Sequence, residues 1–208
     1  MKLFDYFRSS AAWRVRIVLE LKGLDAERVS VDLRTGVQSE DAYRAVNPQG
    51  LVPALETRGG TLSQSLAIIE YLDETHPEPP LLPPRPFERA QMRALAQTIA
   101  CDVHPLNNLR VLNYLRGPLA QDETAVQGWM AHWIQRGFAA MEAQTPDAGF
   151  FGGGAPMLAD VVLVPQMGNA RRFEVDLGAF PRLVALDARL RALAAFARAA
   201  PDAVASVD

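Results

Sequence analysis

Between Pro77 and Pro86 the chain places six prolines in ten residues, His76-Pro77-Glu78-Pro79-Pro80-Leu81-Leu82-Pro83-Pro84-Arg85-Pro86. Proline fixes φ and has no backbone N–H, so this stretch fits neither a helix interior nor a central strand. It predicts a stiff, extended linker over residues 77–86 that divides the chain into a domain of residues 1–80 and another of residues 87–208. With 208 residues in total, each part is long enough to bury a core of its own.

The two parts follow different periodicities. Before the linker, strands are expected at Lys2 to Phe7, Ala26 to Asp32, Pro53 to Thr57 and Thr61 to Ser63. Gly59-Gly60 supplies the hairpin turn between the last two. Helices are expected at Ala12 to Lys22, Glu40 to Val46 and Gln64 to Thr75, the last from the spacing of Leu66, Ile68, Ile69 and Leu72. The order is βαβαββα, a small mixed sheet covered by helices. After the linker the pattern is helical throughout. Glu88 to Leu115 is interrupted or bent near Pro105, and Thr124 to Gln144, Ala159 to Arg171 and Leu183 to Ala200 follow. The cluster Gly149-Phe150-Phe151-Gly152-Gly153-Gly154 follows no strand and reads as a plain turn rather than a phosphate loop.

The chemistry-bearing stretch is Phe7-Arg8-Ser9-Ser10-Ala11-Ala12-Trp13-Arg14-Val15-Arg16-Ile17. Here a strand hands over to a helix through paired serines. A helix start carries roughly half a positive charge and ordinarily attracts acidic residues. After Asp5 the next acid is Glu20, while Arg8, Arg14 and Arg16 surround the helix start. In a chain of net charge −3, this local excess points to a site that receives an anion. The serine hydroxyls and the unpaired N–H groups of the first turn would contact it.

Composition excludes several classes. The mildly acidic balance has no basic block, which argues against nucleic acid. Cys101 is the single cysteine, so no internal disulfide forms and a reducing, cytoplasmic setting is expected. No apolar run is long enough for a membrane span. Three histidines and one cysteine, all scattered, make no metal site.

Five segments together resemble the zeta class of the glutathione transferases, the group that includes maleylacetoacetate and maleylpyruvate isomerases. Ser9 to Ile17 resembles the signature S-S-C-x-x-R-V-R-I. Asn47-Pro48-Gln49-Gly50-Leu51-Val52-Pro53-Ala54-Leu55 is similar to the loop before a cis-proline, and Gln64 to Leu72 to the motif Q-S-x-A-I-x-x-Y-L. His104-Pro105-Leu106-Asn107-Asn108 and Asn169 to Leu177 resemble segments of the helical part. The resemblance implies an α/β plus all-α fold: an N-terminal thioredoxin-like domain and a C-terminal all-helical glutathione-transferase domain. It also implies a homodimer, with glutathione as cofactor and a small-molecule diacid as substrate. The implied activity is cis–trans isomerisation by reversible thiolate addition. Maleylacetoacetate, from aromatic amino-acid breakdown, comes first as substrate and maleylpyruvate second.

The same resemblance assigns roles. Ser10 is the catalytic donor to the thiolate, supported by Ser9 and the N–H groups of Ala11 and Ala12. Gln64 and Ser65 hold the γ-glutamyl end of glutathione, and the backbone of Val52, before a cis Pro53, holds the cysteinyl unit. Gln38 reaches the glycyl end. Arg8, Arg110 and Arg172 bind the substrate carboxylates and the developing enolate, for which the guanidinium fork is suited. His104 and Asn108, one turn apart if helical, face the site together. For each, a plainer reading stays open: a capping serine, a solvated glutamine, a surface ion pair, a buried structural histidine. Ala11 replaces the signature cysteine, which removes a second thiol. Met157 stands where the family has a capping serine or threonine in Ser/Thr-x-x-Asp, a loss of about 1 kcal/mol unless another group substitutes. Two rival functions remain: a conjugating transferase or dehalogenase, and a non-catalytic binding module.

Overall fold

The computed structural model describes residues 1–205. By internal contacts the chain forms two units. The first comprises Met1–Pro80 together with the residues from Ala192 onward, and the second is Leu81–Arg191.

In the first unit, strands β1 (Lys2–Asp5), β2 (Glu27–Ser30), β3 (Ala54–Thr57) and β4 (Gly60–Ser63) form one sheet in the order β2-β1-β3-β4. β1 runs parallel to β2, with Leu3 opposite Arg28, and antiparallel to β3, with Leu3 opposite Leu55. β3 and β4 form the expected hairpin. Helices α1 (Ser10–Lys22), α2 (Asp41–Arg44) and α3 (Ser65–Thr75) complete the βαβαββα order, which is the thioredoxin-like arrangement. α1 is buried from Ala12 through Leu19, on every face. It ends at Gly23, whose φ of 61° gives the left-handed cap that lets Leu24 N–H reach back to the Leu19 carbonyl.

Burial on every face places two arginines of α1 where periodicity did not expect them. Arg16 is 3% exposed and bonds Asp5 at 2.7 Å, the Phe7 carbonyl at 2.9 Å and the Ala199 carbonyl at 3.0 Å. Arg28 closes the other Asp5 oxygen at 2.9 Å. The short helices α9 (Ala194–Arg198) and α10 (Pro201–Val204) belong with the first unit: Arg198 bonds Glu20 at 2.6 Å, Arg16 the Ala199 carbonyl and Arg28 the Val204 carbonyl at 3.3 Å, and Phe196 of α9 is buried. The division by periodicity assigned these residues to the helical part. Polar ties to α1 are invisible to a pattern of apolar spacing.

The second unit is all helical: α4 (Pro86–Gln97), α5 (Leu109–Arg116), α6 (Glu123–Glu142), α7 (Leu158–Arg172) and α8 (Pro181–Arg191). The expected break near Pro105 is longer than a bend. A π-helical turn at Thr98–Val103 and a 3₁₀ turn at His104–Asn107 separate α4 from α5. A Cβ on Gly137 of α6 would overlap the Val103 side chain, so glycine lets the π turn lie directly on α6. α7 is the central helix, buried without interruption from Leu158 to Met167. Its start solves the problem posed by Met157. Leu158 N–H donates to the Leu81 carbonyl at 2.9 Å, Ala159 N–H to the Met92 sulfur at 3.4 Å and Met157 N–H to Asp160 at 2.9 Å. The segment 149–154 is a turn, pinched by mutual backbone bonds between Phe150 and Gly153.

Candidate active site

In the first unit the Tyr6–Ser10 turn delivers the paired serines to the start of α1. Ser9 is the N-cap, its Oγ accepting from Ala12 N–H at 3.2 Å. Ala12 N–H is therefore engaged, and support for an anion rests on Ser10, the Ala11 end and the hydroxyl hydrogen that Ser9 still has to donate. Ser10 is the first residue of α1 and 8% exposed. No acid lies in the first turn.

The three arginines around this start separate into three roles. Arg8 is exposed, its guanidinium 5.0 Å above the Phe7 ring, and is available to an anionic ligand. Arg16 is committed to Asp5, and burial pulls its pKa down against that carboxylate's opposing effect. Arg14 is 1% exposed, and its Nη1 donates to Ser65 Oγ at 3.3 Å. The electropositive excess read from sequence thus divides between one exposed group and two buried ones.

A second helix start in the same unit has similar character. Ser65 opens α3, again with no acid in the first turn and with no side-chain cap from Gln64. Gln64 has φ 69° and ψ 117°, a region that costs a non-glycine residue about 1–3 kcal/mol and is found mostly at functional sites. Its amide donates to Gln49 Oε1 at 2.8 Å. Neither Gln49 nor the Gln64 backbone was singled out by sequence, although Gln49 lies within the loop motif quoted above.

The loop before Pro53 is held as a unit. Tyr43 Oη and Asn47 Nδ2 both donate to the Leu51 carbonyl, at 2.8 and 2.7 Å. Burial pushes the Tyr43 phenol up to about 12, so it remains a donor. The Val52–Pro53 bond is cis. Gly50, at φ 63°, lies so close to the Val37–Ser39 turn that a Cβ would come within 2.8 Å of the Gln38 carbonyl oxygen. Gln38 Oε1 is buried without a partner among the described residues.

The remaining candidates lie in the second unit. Asn108 is the N-cap of α5, accepting from Arg110 N–H at 3.1 Å. His104 opens the 3₁₀ turn and is partly buried. The two are not on one continuous α-helix, because Asn108 is extended at φ −70°, ψ 145°. Arg110 is exposed near the start of α5, and Arg172 is exposed at the end of α7 with its guanidinium 5.3 Å above the Phe173 ring. No group of metal-ligating side chains occurs among the described residues.

Residues 3–80 match the glutathione S-transferase N-terminal domain family. The maleylpyruvate isomerase of Ralstonia sp is 47% identical over 207 residues, spanning 98% of each chain. The maleylacetoacetate isomerase of Pseudomonas aeruginosa is 49% identical over 186 residues, spanning 88% of this chain and 87% of that one. The holo structure of a zeta-class maleylpyruvate isomerase superposes with TM-score 0.96 at 46% identity over all of both chains. This chain is a zeta-class glutathione transferase. The maleylacetoacetate isomerase of Methylobacterium extorquens, solved with bound malonate and glutathione, superposes with TM-score 0.93 at 38% identity over 98% of this chain and 97% of that one.

For a zeta-class transferase the residues of the first unit suit glutathione. Two acid-free helix starts with buried serines match a thiolate and a carboxylate. The unpartnered Gln38 Oε1 leaves an acceptor for an amide or amine hydrogen. Ala11 departs from the class signature.

Proposed function

We propose that this transferase is a glutathione-dependent cis–trans isomerase of short conjugated diacids, with maleylacetoacetate, giving fumarylacetoacetate, as its substrate. The observation that carries the reading is Ser10: a buried hydroxyl on the first residue of α1, beside a capping Ser9 and with no acid in the turn. Bound glutathione supplies a thiolate that adds reversibly to the conjugated carbon, so rotation about the former double bond becomes possible and the cofactor is regenerated. A thiol with pKa near ~8.5 is mostly protonated at neutral pH. A hydroxyl donated by Ser10 to the sulfur is worth about 1.5–3 kcal/mol in favour of the anion. The positive end of α1 acts in the same direction.

The other candidates keep the roles that the resemblance to the class implies. Gln64 and Ser65 hold the γ-glutamyl end, Val52 the cysteinyl backbone, and Gln38 the glycyl end. His104 and Asn108 also contact the cofactor. Arg8, Arg110 and Arg172 bind the substrate carboxylates and the charge that develops beside them, since a guanidinium stays protonated and binds a carboxylate with two parallel bonds. Residues 1–80 serve as the glutathione-binding domain and the helical part of 87–208 that ends at Arg191 as the substrate-binding one, with residues 77–86 between them. The protein acts as a cytoplasmic homodimer. No helix among the described residues is long and apolar enough to cross a membrane.

Maleylpyruvate is the second reading, favoured by the likeness to the Ralstonia enzyme over nearly the full chain. Turnover of both diacids, with and without glutathione, tests the proposal. Isomerisation that requires glutathione but does not consume it supports the reading. Stoichiometric loss of glutathione would instead assign a conjugating transferase or dehalogenase, and no turnover of either diacid would leave a binding module.

A further inference from the structure

We infer that Arg16 is a positioning residue for the Ser10 hydroxyl, and that it braces the turn before Ser10 against the C-terminal helix α9. This rests on the glutathione reading above and concerns a residue to which that reading gives no role.

Between Asp5, the last residue of β1, and Ser10, the first of α1, the chain turns through Tyr6, Phe7, Arg8 and Ser9. Regular structure fixes both ends. Val31 N–H donates to the Asp5 carbonyl at 2.8 Å, and Trp13 N–H to the Ser9 carbonyl at 2.8 Å. Inside the turn the Tyr6 carbonyl accepts from Ser9 N–H at 2.8 Å, which is a local bond. The Phe7 carbonyl accepts instead from a side chain further along α1, Nη2 of Arg16 at 2.9 Å. Side chains on a helix lean toward its N-terminus, so Arg16 reaches back from the body of α1 to the turn that precedes it.

Each nitrogen of this guanidinium makes a separate tie. Nη1 donates to Asp5 Oδ1 at 2.7 Å, Nη2 to the Phe7 carbonyl and Nε to the Ala199 carbonyl at 3.0 Å. Ala199 is the C-cap of α9 and is 1% exposed. One rigid plane therefore joins the end of β1, the turn and α9. The far side of the brace is held in turn. Arg28 takes the other Asp5 oxygen at 2.9 Å and reaches the Val204 carbonyl at 3.3 Å, while Arg198 pairs with Glu20 at 2.6 Å. A buried ion pair is a poor source of net stability beside apolar packing of the same volume. What Arg16, 3% exposed, supplies is a fixed arrangement. A catalytic donor needs that, because its geometry must hold to within about 0.5 Å.

The test follows the ionisation of the glutathione thiol bound to the whole chain, by ultraviolet absorbance, beside calorimetric binding of S-methylglutathione, which has no thiol to ionise. Arg16→Lys keeps a charge for Asp5 but offers a single nitrogen in place of the fork. Its bound thiol should ionise about 0.5–1 pH unit above the wild-type value, a part of what one hydrogen bond to a charged group is worth. S-methylglutathione should bind as tightly as before. In a Ser10→Ala background Arg16→Lys should add no further shift. Phe196→Ala, which loosens the buried side of α9 and keeps Arg16, should move the thiol in the same direction, and should add nothing once Arg16→Lys is present. Should Arg16→Lys fail to fold, Phe196→Ala with and without Ser10 decides the matter. A thiol shift that survives Arg16→Lys, an Arg16→Lys effect that persists without the Ser10 hydroxyl, or S-methylglutathione binding that weakens in step would overturn the inference and mark Arg16 as structural only. Wild-type ionisation in Phe196→Ala would overturn the brace to α9. A wild type that binds glutathione with a thiol ionising like the free one would overturn the inference while leaving glutathione as the cofactor. A wild type that binds neither probe would remove the proposed function as well.

Discussion

The start of α1 and the start of α7 present the same problem and solve it in opposite ways. Both helices begin with N–H groups that lack partners within the helix. At α7 every available acceptor is internal: the Leu81 carbonyl, the Met92 sulfur and above all Asp160, which takes Met157 N–H at 2.9 Å and Phe151 N–H at 3.2 Å. The start of α8 is closed in the same manner, with Glu142 accepting from Arg182 and Leu183 N–H at 2.9 Å each. At α1 and α3 no acid enters the first turn, and a serine occupies the first position of each. A helix start whose positive end is cancelled from within stabilises the fold. One left uncancelled keeps its attraction for an anion from outside.

The largest effect is expected where the closed start is opened. Asp160→Ala leaves several buried N–H groups without an acceptor and should cost about 3 kcal/mol or more, or prevent folding. Denaturant unfolding measures it. A loss below 1 kcal/mol would mean that other groups close α7 without Asp160.

Ser10→Ala acts on the open start. Turnover should fall by about 10- to 150-fold, the range of one hydrogen bond to a charged group, while the unfolding midpoint stays close to that of the wild type. Unchanged turnover would remove Ser10 from the chemistry.

A smaller effect follows from the cost of burying Asp160. Desolvation dominates over its backbone hydrogen bonds and raises its pKa from 3.8 to about 6. Between pH 3.8 and 6 the native carboxyl holds a proton that the unfolded chain has released. This group therefore adds stability as the pH falls through that window, and its contribution is gone above pH 6. From pH 7.5 to 5 the wild type should gain about 1.4 kcal/mol relative to Asp160→Asn. A difference that does not change with pH would contradict a raised pKa.

The smallest change sharpens the comparison by giving α3 what α7 has. Ala67 is exposed in the first turn of α3. Ala67→Glu should raise stability by about 0.3–1 kcal/mol through the helix dipole and weaken glutathione by a few-fold. Opposite signs in the two measurements are the signature of an open start. Tighter glutathione binding in this variant would argue against it.

Much of this was legible in the sequence because it depended on local chemistry. The Gly59-Gly60 hairpin, the paired serines at the start of α1 and the interruption near Pro105 all act within a few residues, and each is where the sequence reading put it. What escaped depended on distant partners. Arg14 and Arg16 look alike in a string of residues. One reaches Ser65 on α3 and the other Asp5 on β1. The ties of α9 and α10 to the first unit run to distant residues: Arg198 to Glu20, Arg16 to the Ala199 carbonyl and Arg28 to the Val204 carbonyl, beside the buried Phe196. The replacement of a capping hydroxyl by the Met92 sulfur has no sequence signature, because it joins residues 67 positions apart. The positive φ of Gln64 is likewise a property of how β4 meets α3, since glutamine by itself does not favour it.

The most direct trial of the open-start account is a spectroscopic titration of the glutathione thiol bound to the wild type and to Ser10→Ala. The account requires the bound thiol to ionise about one to two pH units below the ~8.5 of a free thiol, and most of that shift to disappear in the variant. A bound thiol that titrates like the free one, or a shift that survives the loss of the Ser10 hydroxyl, would contradict it.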